Sequence, residues 1–163
     1  MNADMLADEL AVLEKVEHPN IARIIDLKRD STEVHIVMDY FEEGDLFDYV
    51  TTRELTEDHI ASIMYQLLYA VNYLHDNGIV HRDIKLENVL IESKEECKVM
   101  LADFGFAAKV PTGIEKQLKT QLGTDWYMAP EILEKKPYDT KVDVWSLGVV
   151  AFMCFTKSPP YKG

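Results

Sequence analysis

Positions 81–88 of the chain read His-Arg-Asp-Ile-Lys-Leu-Glu-Asn, and two further short blocks follow them. Asp-Phe-Gly occupies positions 103–105, and Ala-Pro-Glu occupies positions 129–131. Each block alone is typical of an ordinary turn. The first block alone would be a turn held together by a salt bridge within it. All three together, in this order and at this spacing, instead predict a single catalytic site.

The side chains in these blocks match what the transfer of a phosphoryl group requires. Asp83 can accept the hydrogen bond or the proton of an attacking hydroxyl, and Lys85 can reach the phosphate that moves. Asn88 and Asp103 offer oxygen ligands, which suit the hard ion Mg²⁺. The sequence therefore predicts Asp83, Lys85 and Asn88 as catalytic residues, and Asn88 with Asp103 as the metal ligands.

Composition restricts the class of protein and its partners. The 163 residues fit one domain, and 47% of them are hydrophobic, which is enough for a core. A net charge of −12 disfavours nucleic acid and anionic membranes as partners and is compatible with basic peptides, although it also simply aids solubility. Two distant cysteines and no visible secretory signal predict a reducing compartment, the cytoplasm, with the nucleus as the alternative.

Periodicity, capping residues and turn residues predict a mainly helical α+β fold. Helical spacing of apolar residues predicts helices at 4–16, 45–51, 57–76 and 141–156. Alternation and turn signals predict strands at 22–28, 33–38, 88–91 and 97–100. His59 and His75, at the two ends of the third helix, are interpreted as surface or capping residues rather than metal ligands.

Two helices carry more specific expectations. The helix at 57–76 shows one apolar face, which is formed by Ile60, Ile63, Met64, Leu67, Leu68, Val71 and Leu74. The helix at 141–156 is apolar nearly all the way round, so burial is expected on every side, yet it is too short to span a membrane. Few residues follow to cover it, so we expect a partner or a cut at this end of the chain.

The three blocks and their spacing resemble the middle of a eukaryotic serine/threonine protein kinase, most closely the calcium/calmodulin-dependent and AMP-activated groups. The resemblance covers nearly all 163 residues. It implies a protein-kinase-like large lobe at 39–163, partial, and a remnant of the small lobe at 1–38, with truncation at both ends. It also implies ATP and Mg²⁺ as cofactors, and protein substrates whose target serine or threonine lies near basic residues.

The resemblance further implies a set of nucleotide-binding residues. Glu9 matches the helix glutamate that pairs with a strand lysine in the family, and Met38 matches the gatekeeper. The other implied positions are Asp39 and Phe41 in the hinge, Asp45 near the ribose, Leu90 and Ala102 in the adenine pocket, and Asp103 at the metal. Leu13, Ile24, His81 and Phe104 match a packed column between the lobes, and Asp143 matches the aspartate that holds the catalytic loop.

An activation segment from Asp103 to Glu131 is implied as well. Thr120 falls at the main phosphorylation site, which an upstream kinase would modify, and Arg82 would clamp that phosphate. The alternative for Thr120 is a solvated loop threonine. Thr124 would hydrogen-bond to Asp83 and Lys85, as in serine/threonine-specific members, and Glu87 matches a position that often meets basic substrate residues.

Two departures from the family pattern leave two hypotheses. No Gly-x-Gly-x-x-Gly segment precedes Glu9, and Lys15 and Lys28 are not in a Val-Ala-x-Lys context. One hypothesis is that the chain is an incomplete piece of an active kinase, so that it is inactive alone. The other is that it is a catalytically inactive, kinase-like interaction module. The intact set of catalytic residues favours the first.

Overall fold

The computed structural model describes residues 16–30, 33–109, 118 and 125–161. The α-helices in this part of the chain are α1 (Leu46–Thr52), α2 (Glu57–Asp76), α3 (Pro130–Leu133) and α4 (Lys141–Thr156). The strands are β1 (Ile24–Arg29), β2 (Val34–Met38), β3 (Ile79–Val80), β4 (Val89–Ser93), β5 (Lys98–Leu101) and β6 (Ala108–Lys109). Short 3₁₀ helices occur at Leu86–Asn88 and Asp125–Tyr127. The predicted α+β class is confirmed.

The strands of the described residues form three antiparallel pairs, β1 with β2, β3 with β6 and β4 with β5. The segment before β1 is attached to β5, because Ile21 bridges Leu101 and the Ala22 N–H donates to the Leu101 carbonyl at 2.8 Å. This attachment explains why β1 begins at Ile24, two residues after the predicted start. Similarly, Cys97 has a positive φ of 51°, so β5 begins at Lys98 and the prediction of a strand from Cys97 was wrong by one residue.

Helix α2 has the predicted bounds. At its start, Thr56 Oγ1 accepts the His59 backbone N–H at 3.2 Å and His59 Nδ1 accepts the Thr56 N–H at 3.4 Å, which confirms His59 as a capping residue. The buried stripe consists of Ile60, Ile63, Leu67, Ala70, Val71 and Leu74. Leu68 is half-exposed, because with 3.6 residues per turn it points about 100° away from the middle of that stripe. Its assignment to the apolar face was wrong.

Helix α4 also has the predicted bounds, but only part of its circumference is covered by the described residues. Eight of its residues are buried, namely Val142, Asp143, Ser146, Leu147, Val149, Val150, Met153 and Cys154. Val144, Phe152 and Phe155 are exposed, so the expectation of burial on every side is wrong for this part of the chain. The covered side packs against α2, which brings the first turn of α4 beneath the catalytic loop.

Of the two remaining predicted helices, the structure describes one in full and only the last residue of the other. The predicted helix at 4–16 lies outside the described residues except for Val16, which is buried. The predicted helix at 45–51 is α1, one residue later, with the Asp45 side chain as its cap. None of the helices in the described part of the chain combines the length and the apolar character that crossing a membrane requires.

Candidate active site

The backbone of the catalytic loop, residues 81–88, is fixed from below by one carboxylate. Asp143, on the first turn of α4, accepts the His81 backbone N–H at Oδ2 and the Arg82 backbone N–H at Oδ1, both at 2.9 Å. Arg82 has a φ of +69°, which is unfavourable for a residue with a side chain. The two hydrogen bonds to a buried carboxylate offset that cost, and the predicted role of Asp143 is confirmed.

His75 is a third partner of Asp143. Its Nε2 lies 2.8 Å from Asp143 Oδ2, and its side chain is only 18% exposed. The interpretation of His75 as a surface or capping residue was therefore wrong, because the residue joins the last turn of α2 to the first turn of α4. Nothing in the sequence pattern indicates a contact across the 68 positions that separate the two residues.

His81 connects the catalytic loop to the Asp-Phe-Gly segment. Its Nε2 lies 3.1 Å from the Ala102 carbonyl oxygen, while Nδ1 faces the backbone N–H of Asp83 at 3.3 Å. Nδ1 must therefore accept and Nε2–H must donate, which defines a neutral ring. Complete burial lowers the pKa of His81 below its ordinary value and favours the same neutral form. The ring also packs on Phe104, with centroids 4.9 Å apart.

Asp83 is buried and its carboxylate is oriented from two sides. Lys85 Nζ lies 2.8 Å from Asp83 Oδ2. Asn88 Nδ2 donates to the same oxygen at 2.9 Å and to the Asp83 carbonyl at 2.8 Å. The structure thus brings together the three residues that the sequence predicts as catalytic, within one turn of chain around the 3₁₀ helix Leu86–Asn88.

Asn88 and Asp103 offer oxygens to one cavity. The two oxygens that accept hydrogen bonds from the Asn88 side chain both belong to Asp83. The amide nitrogen of Asn88 must therefore face Asp83, and the amide oxygen points away from Asp83. Asp103 is exposed, has a φ of +56°, and uses Oδ1 to accept the Gly105 N–H at 3.1 Å. Both side chains line the same cleft. An amide oxygen and a carboxylate together fit a hard divalent cation such as Mg²⁺.

That cleft lies between the β1–β2 hairpin and the Asp-Phe-Gly segment. It has a volume of about 330 Å³ and is lined by Ala22, Ile24, Ile36, Met38, Glu87, Asn88, Leu90, Ala102, Asp103 and Phe104. A second opening of about 560 Å³ shares Ile36, Met38 and Leu90 with it and extends along Asp39, Tyr40, Phe41 and Asp45. Cavities of this size accept cofactor-sized ligands. The residues that line the cleft are mostly apolar, and the polar ones among them are Glu87, Asn88 and Asp103.

The resemblance implies eight positions for the nucleotide, and the cleft and the second opening together are lined by seven of them. Met38, Leu90, Ala102 and Asp103 line the cleft, and Asp39, Phe41 and Asp45 line the second opening. Asp45 has a structural task as well, since its Oδ1 accepts the Asp48 N–H at 2.9 Å and caps α1. The sequence did not single out Ala22 or Ile36, whose small and branched side chains complete the apolar walls. They lack any motif of their own.

Several residues to which the resemblance assigns a role lie outside the described part of the chain: Glu9, Leu13, Thr120 and Thr124. Arg82, which the sequence pairs with Thr120, is described. Its Nε donates to the Phe106 carbonyl at 2.5 Å and its guanidinium lies 3.5 Å from the Tyr138 hydroxyl. The first contact joins the catalytic loop to the beginning of the implied activation segment, and the second joins it to Tyr138, which follows the end of that segment.

Tyr127 is a further residue of the site that the sequence interpretation missed. It is buried, and its hydroxyl lies 3.5 Å from the Leu86 N–H and 3.4 Å from Glu87 Oε2. Burial, and then the negative charge of Glu87, raise the pKa of Tyr127, so the hydroxyl stays protonated. A tyrosine between Trp126 and Met128 gives no signal of its own in a single sequence, because apolar packing is its commoner role.

Comparison with known proteins agrees with this geometry. The protein kinase domain family matches residues 1–163. A calcium/calmodulin-dependent protein kinase type 1 of Macrobrachium nipponense is 39% identical over 160 residues, which cover 97% of this chain and 46% of the relative. The serine/threonine-protein kinase max-2 of Caenorhabditis elegans is 42% identical over 159 residues, 97% of this chain and 24% of the relative. The chain thus spans less than half of these relatives.

Proposed function

Because the chain belongs to the protein kinase family, we propose that its cleft binds ATP with Mg²⁺ and that the kinase to which these residues belong phosphorylates serine or threonine in proteins. Members of this family generally use both cofactors. The observation that carries the proposal is the orientation of Asp83 by Lys85 and Asn88, beside a cleft that Asn88 and Asp103 also line.

Asp83 would receive the hydroxyl of the substrate. Its carboxylate is buried, already aligned, and hydrogen-bonded to Asn88, which lines the cleft. In phosphoryl transfer the protein contributes mainly position and electrostatics, so a fixed acceptor is what the chemistry needs. Lys85, 2.8 Å from Asp83 in this structure, would place its ammonium group against the phosphate that is transferred.

Asn88 and Asp103 would hold the metal through the amide oxygen and a carboxylate oxygen. The cation supplies positive charge against the phosphates when it is bound. The adenine would lie between the apolar walls at Leu90 and Ala102, with hydrogen bonds to the backbone of 39–41, and Asp45 would lie near the ribose. Thr124 would add hydrogen bonds to Asp83 and Lys85.

Substrate preference and regulation form the finer part of the proposal. Glu87 is exposed at the rim of the cleft, and the chain carries a net charge of −12. Both features favour substrates with basic residues near the target hydroxyl. An upstream kinase would phosphorylate Thr120, and Arg82 would pair with that phosphate.

The competing function is a kinase-like interaction module without catalysis. The observation that favours it is the composition of the 163 residues, which contain no Gly-x-Gly-x-x-Gly segment. The complete set of Asp83, Lys85, Asn88 and Asp103 favours a kinase, since an interaction module has no physical need for a buried, aligned acceptor beside two metal ligands.

Titration of residues 1–163 with a fluorescent ATP analogue, with and without Mg²⁺, tests the proposal. We expect binding that Mg²⁺ strengthens, and roughly tenfold weaker Mg²⁺-dependent binding for Asp103→Ala, as for other lost charged contacts of about 1.4 kcal/mol. The exposed Asp58→Ala is the matched control and should bind as the wild type does. No nucleotide binding, or binding that ignores Mg²⁺ and Asp103, would favour the interaction module.

Transfer of phosphate needs a second experiment. We expect residues 1–163 alone to phosphorylate a basic peptide negligibly, since no glycine-rich segment positions the phosphates. Joining these residues to a glycine-rich loop and strand lysine should produce activity that Asp83→Asn abolishes. Activity that survives Asp83→Asn in the joined protein would contradict the assignment of Asp83.

A further inference from the structure

The hydroxyl of Tyr127 has a hydrogen-bonding direction that its neighbours determine. The Leu86 backbone N–H can only donate, so at 3.5 Å it is the donor and the hydroxyl oxygen is the acceptor. The proton of the hydroxyl is then available to Glu87 Oε2, 3.4 Å away. A carboxylate can only accept, so this hydrogen bond runs from Tyr127 to Glu87.

Tyr127 itself is held in place from the other side. Its side chain is 3% exposed, and its carbonyl oxygen accepts the Ser146 Oγ–H of α4 at 2.8 Å. The same serine also donates toward the Val142 carbonyl at 3.2 Å. A buried ring whose backbone is tied to α4 has little freedom, so the hydroxyl presents its proton at one place.

Glu87 has the opposite character. It is exposed, lines the cleft together with Asn88, and makes no salt bridge among the described residues. A flexible carboxylate on a surface loses conformational freedom when it binds a cation. A hydroxyl that orients it in advance reduces that loss.

We propose that Tyr127 is a positioning residue that orients the Glu87 carboxylate toward a basic side chain of the protein substrate. The inference rests on the proposed function, because it assumes that a peptide lies beside Asp83. It goes further in naming a residue outside the catalytic loop that tunes substrate preference. Since Tyr127 lies at the end of the implied activation segment, the preference then depends on where that segment is placed.

The size of the effect follows from the geometry. A typical O–H···O bond measures about 2.7–2.8 Å, so 3.4 Å marks a weak bond to a charged group. We therefore expect Tyr127→Phe to reduce the preference for a basic peptide by roughly three- to fivefold, below the usual effect of a strong charged hydrogen bond. The ring stays in place, so binding of a neutral peptide should not change.

Fluorescence anisotropy with residues 1–163 tests this with labelled peptides. Each peptide carries one serine and a single arginine at one of several positions before it, and each has a counterpart with glutamine instead. The readout is the ratio of the two dissociation constants. Glu87→Gln should remove the preference for arginine, so that the two dissociation constants become equal. Tyr127→Phe should reduce the preference without removing it. The double variant Tyr127→Phe/Glu87→Gln should match Glu87→Gln alone.

Tyr49→Phe is the matched control. Tyr49 is also buried, and its hydroxyl donates to the Lys94 carbonyl at 3.4 Å rather than to Glu87. Its ratio should equal that of the wild type. The inference is overturned if Tyr127→Phe leaves the ratio unchanged or weakens the binding of both peptides by the same factor. It is also overturned if Tyr127→Phe lowers the ratio by the same factor in the wild type and in Glu87→Gln.

A wild-type chain that shows no preference for arginine also overturns the inference, since Glu87 would then recognise no basic residue. That result would also contradict the preference for basic substrates in the proposed function, but it does not decide whether the cleft binds ATP with Mg²⁺. Binding of the ATP analogue with Mg²⁺ to the same protein decides it separately, because the nucleotide contacts do not include Tyr127.

Discussion

Asp143 accepts the backbone N–H of Arg82 at 2.9 Å, a contact between residues 61 positions apart in the chain. The same carboxylate also binds the N–H of His81 and the imidazole of His75. A single buried side chain on α4 therefore maintains the positive φ at Arg82 and, through the loop, the position of Asp83.

The first prediction concerns the stability that this carboxylate provides. Asp143→Asn keeps the shape of the side chain but replaces one acceptor oxygen with an NH₂ group. That NH₂ group would face the backbone N–H of His81 or Arg82, and two donors cannot hydrogen-bond to each other. Since breaking a buried, hydrogen-bonded charge costs about 3–5 kcal/mol, we expect the free energy of unfolding to fall by about 3 kcal/mol in urea titrations. The exposed Asp48→Asn should change it by less than about 0.5 kcal/mol. Equal effects of the two variants would contradict the structural role of Asp143.

The second prediction concerns the pH dependence of stability. His81 is neutral in the folded protein, and burial lowers its pKa below the ordinary 6.5. The unfolded chain therefore binds a proton near pH 6.5 that the folded chain does not, so the free energy of unfolding decreases as the pH falls below that value. Each such histidine contributes a slope of at most about 1.4 kcal/mol per pH unit. The stability that His81 provides is complete above pH 6.5.

Urea titrations at pH 7.5 and 5.5 measure this slope above the range where exposed carboxylates titrate. His81→Tyr keeps a ring beside Phe104 and removes the titrating group, so the loss of stability between the two pH values should be smaller than in the wild type. His18 contributes in the same direction, since burial also lowers its pKa, and some slope should persist. An unchanged slope in His81→Tyr would show that His81 is not responsible.

The sequence predicted the helices better than it predicted contacts between them. Helix α2 has the predicted bounds because Thr56, the acidic first turn and Asn77 are local signals, and local signals are visible in one sequence. His75 carries no such signal. Its role depends on a contact with Asp143, which is 68 positions away in the sequence and lies beside His75 only in the folded structure.

The candidate site shows the same distinction. The positions of Asp83, Asn88 and Asp103 follow from motifs, because the chemistry requires those side chains in that order. The apolar walls at Ala22 and Ile36 do not follow, since many small or branched residues can fill such positions. Tyr127 was missed for a related reason: its ring packs like a core residue, and only its hydroxyl contacts Glu87.

The third prediction concerns the exposed side of α4. Val144, Phe152 and Phe155 are 52%, 43% and 60% exposed, and their spacing places them on one side of the helix. Exposed apolar patches promote association. We expect residues 1–163 to self-associate with rising concentration and to bind a hydrophobic dye. Light scattering coupled to size-exclusion chromatography measures the mass.

The double variant Phe152→Ser/Phe155→Ser should shift the protein toward the monomer and reduce dye binding severalfold. Tyr40→Ser removes an aromatic side chain that is 85% exposed at a different place, and it should leave the mass distribution unchanged. A wild-type chain that stays monomeric and binds no dye at high concentration would contradict the prediction. If both variants changed the mass distribution and the dye binding equally, the exposed side of α4 would not be the cause of the self-association.

The fourth prediction concerns regulation through Thr120, in a kinase that joins these residues to a glycine-rich loop and strand lysine. A phosphate on Thr120 adds about −1.5 to −2 charges at neutral pH and can bind an arginine. Within the described residues, Arg82 uses two of its five N–H donors, on Phe106 and Tyr138. The other donors can bind the phosphate, which would connect Thr120 to the catalytic loop.

Thr120→Ala should therefore lower the peptide phosphorylation rate by at least tenfold after treatment with an upstream kinase, whereas Thr112→Ala should retain the rate. Thr124→Ala should also lower the rate, but for a different reason, since it loses hydrogen bonds to Asp83 and Lys85. Its rate should stay low even when mass spectrometry shows complete phosphorylation of Thr120. Full activation of Thr120→Ala would make Thr120 a solvated loop threonine, and the assignment of Asp83 would be unaffected because Lys85 and Asn88 orient that carboxylate independently.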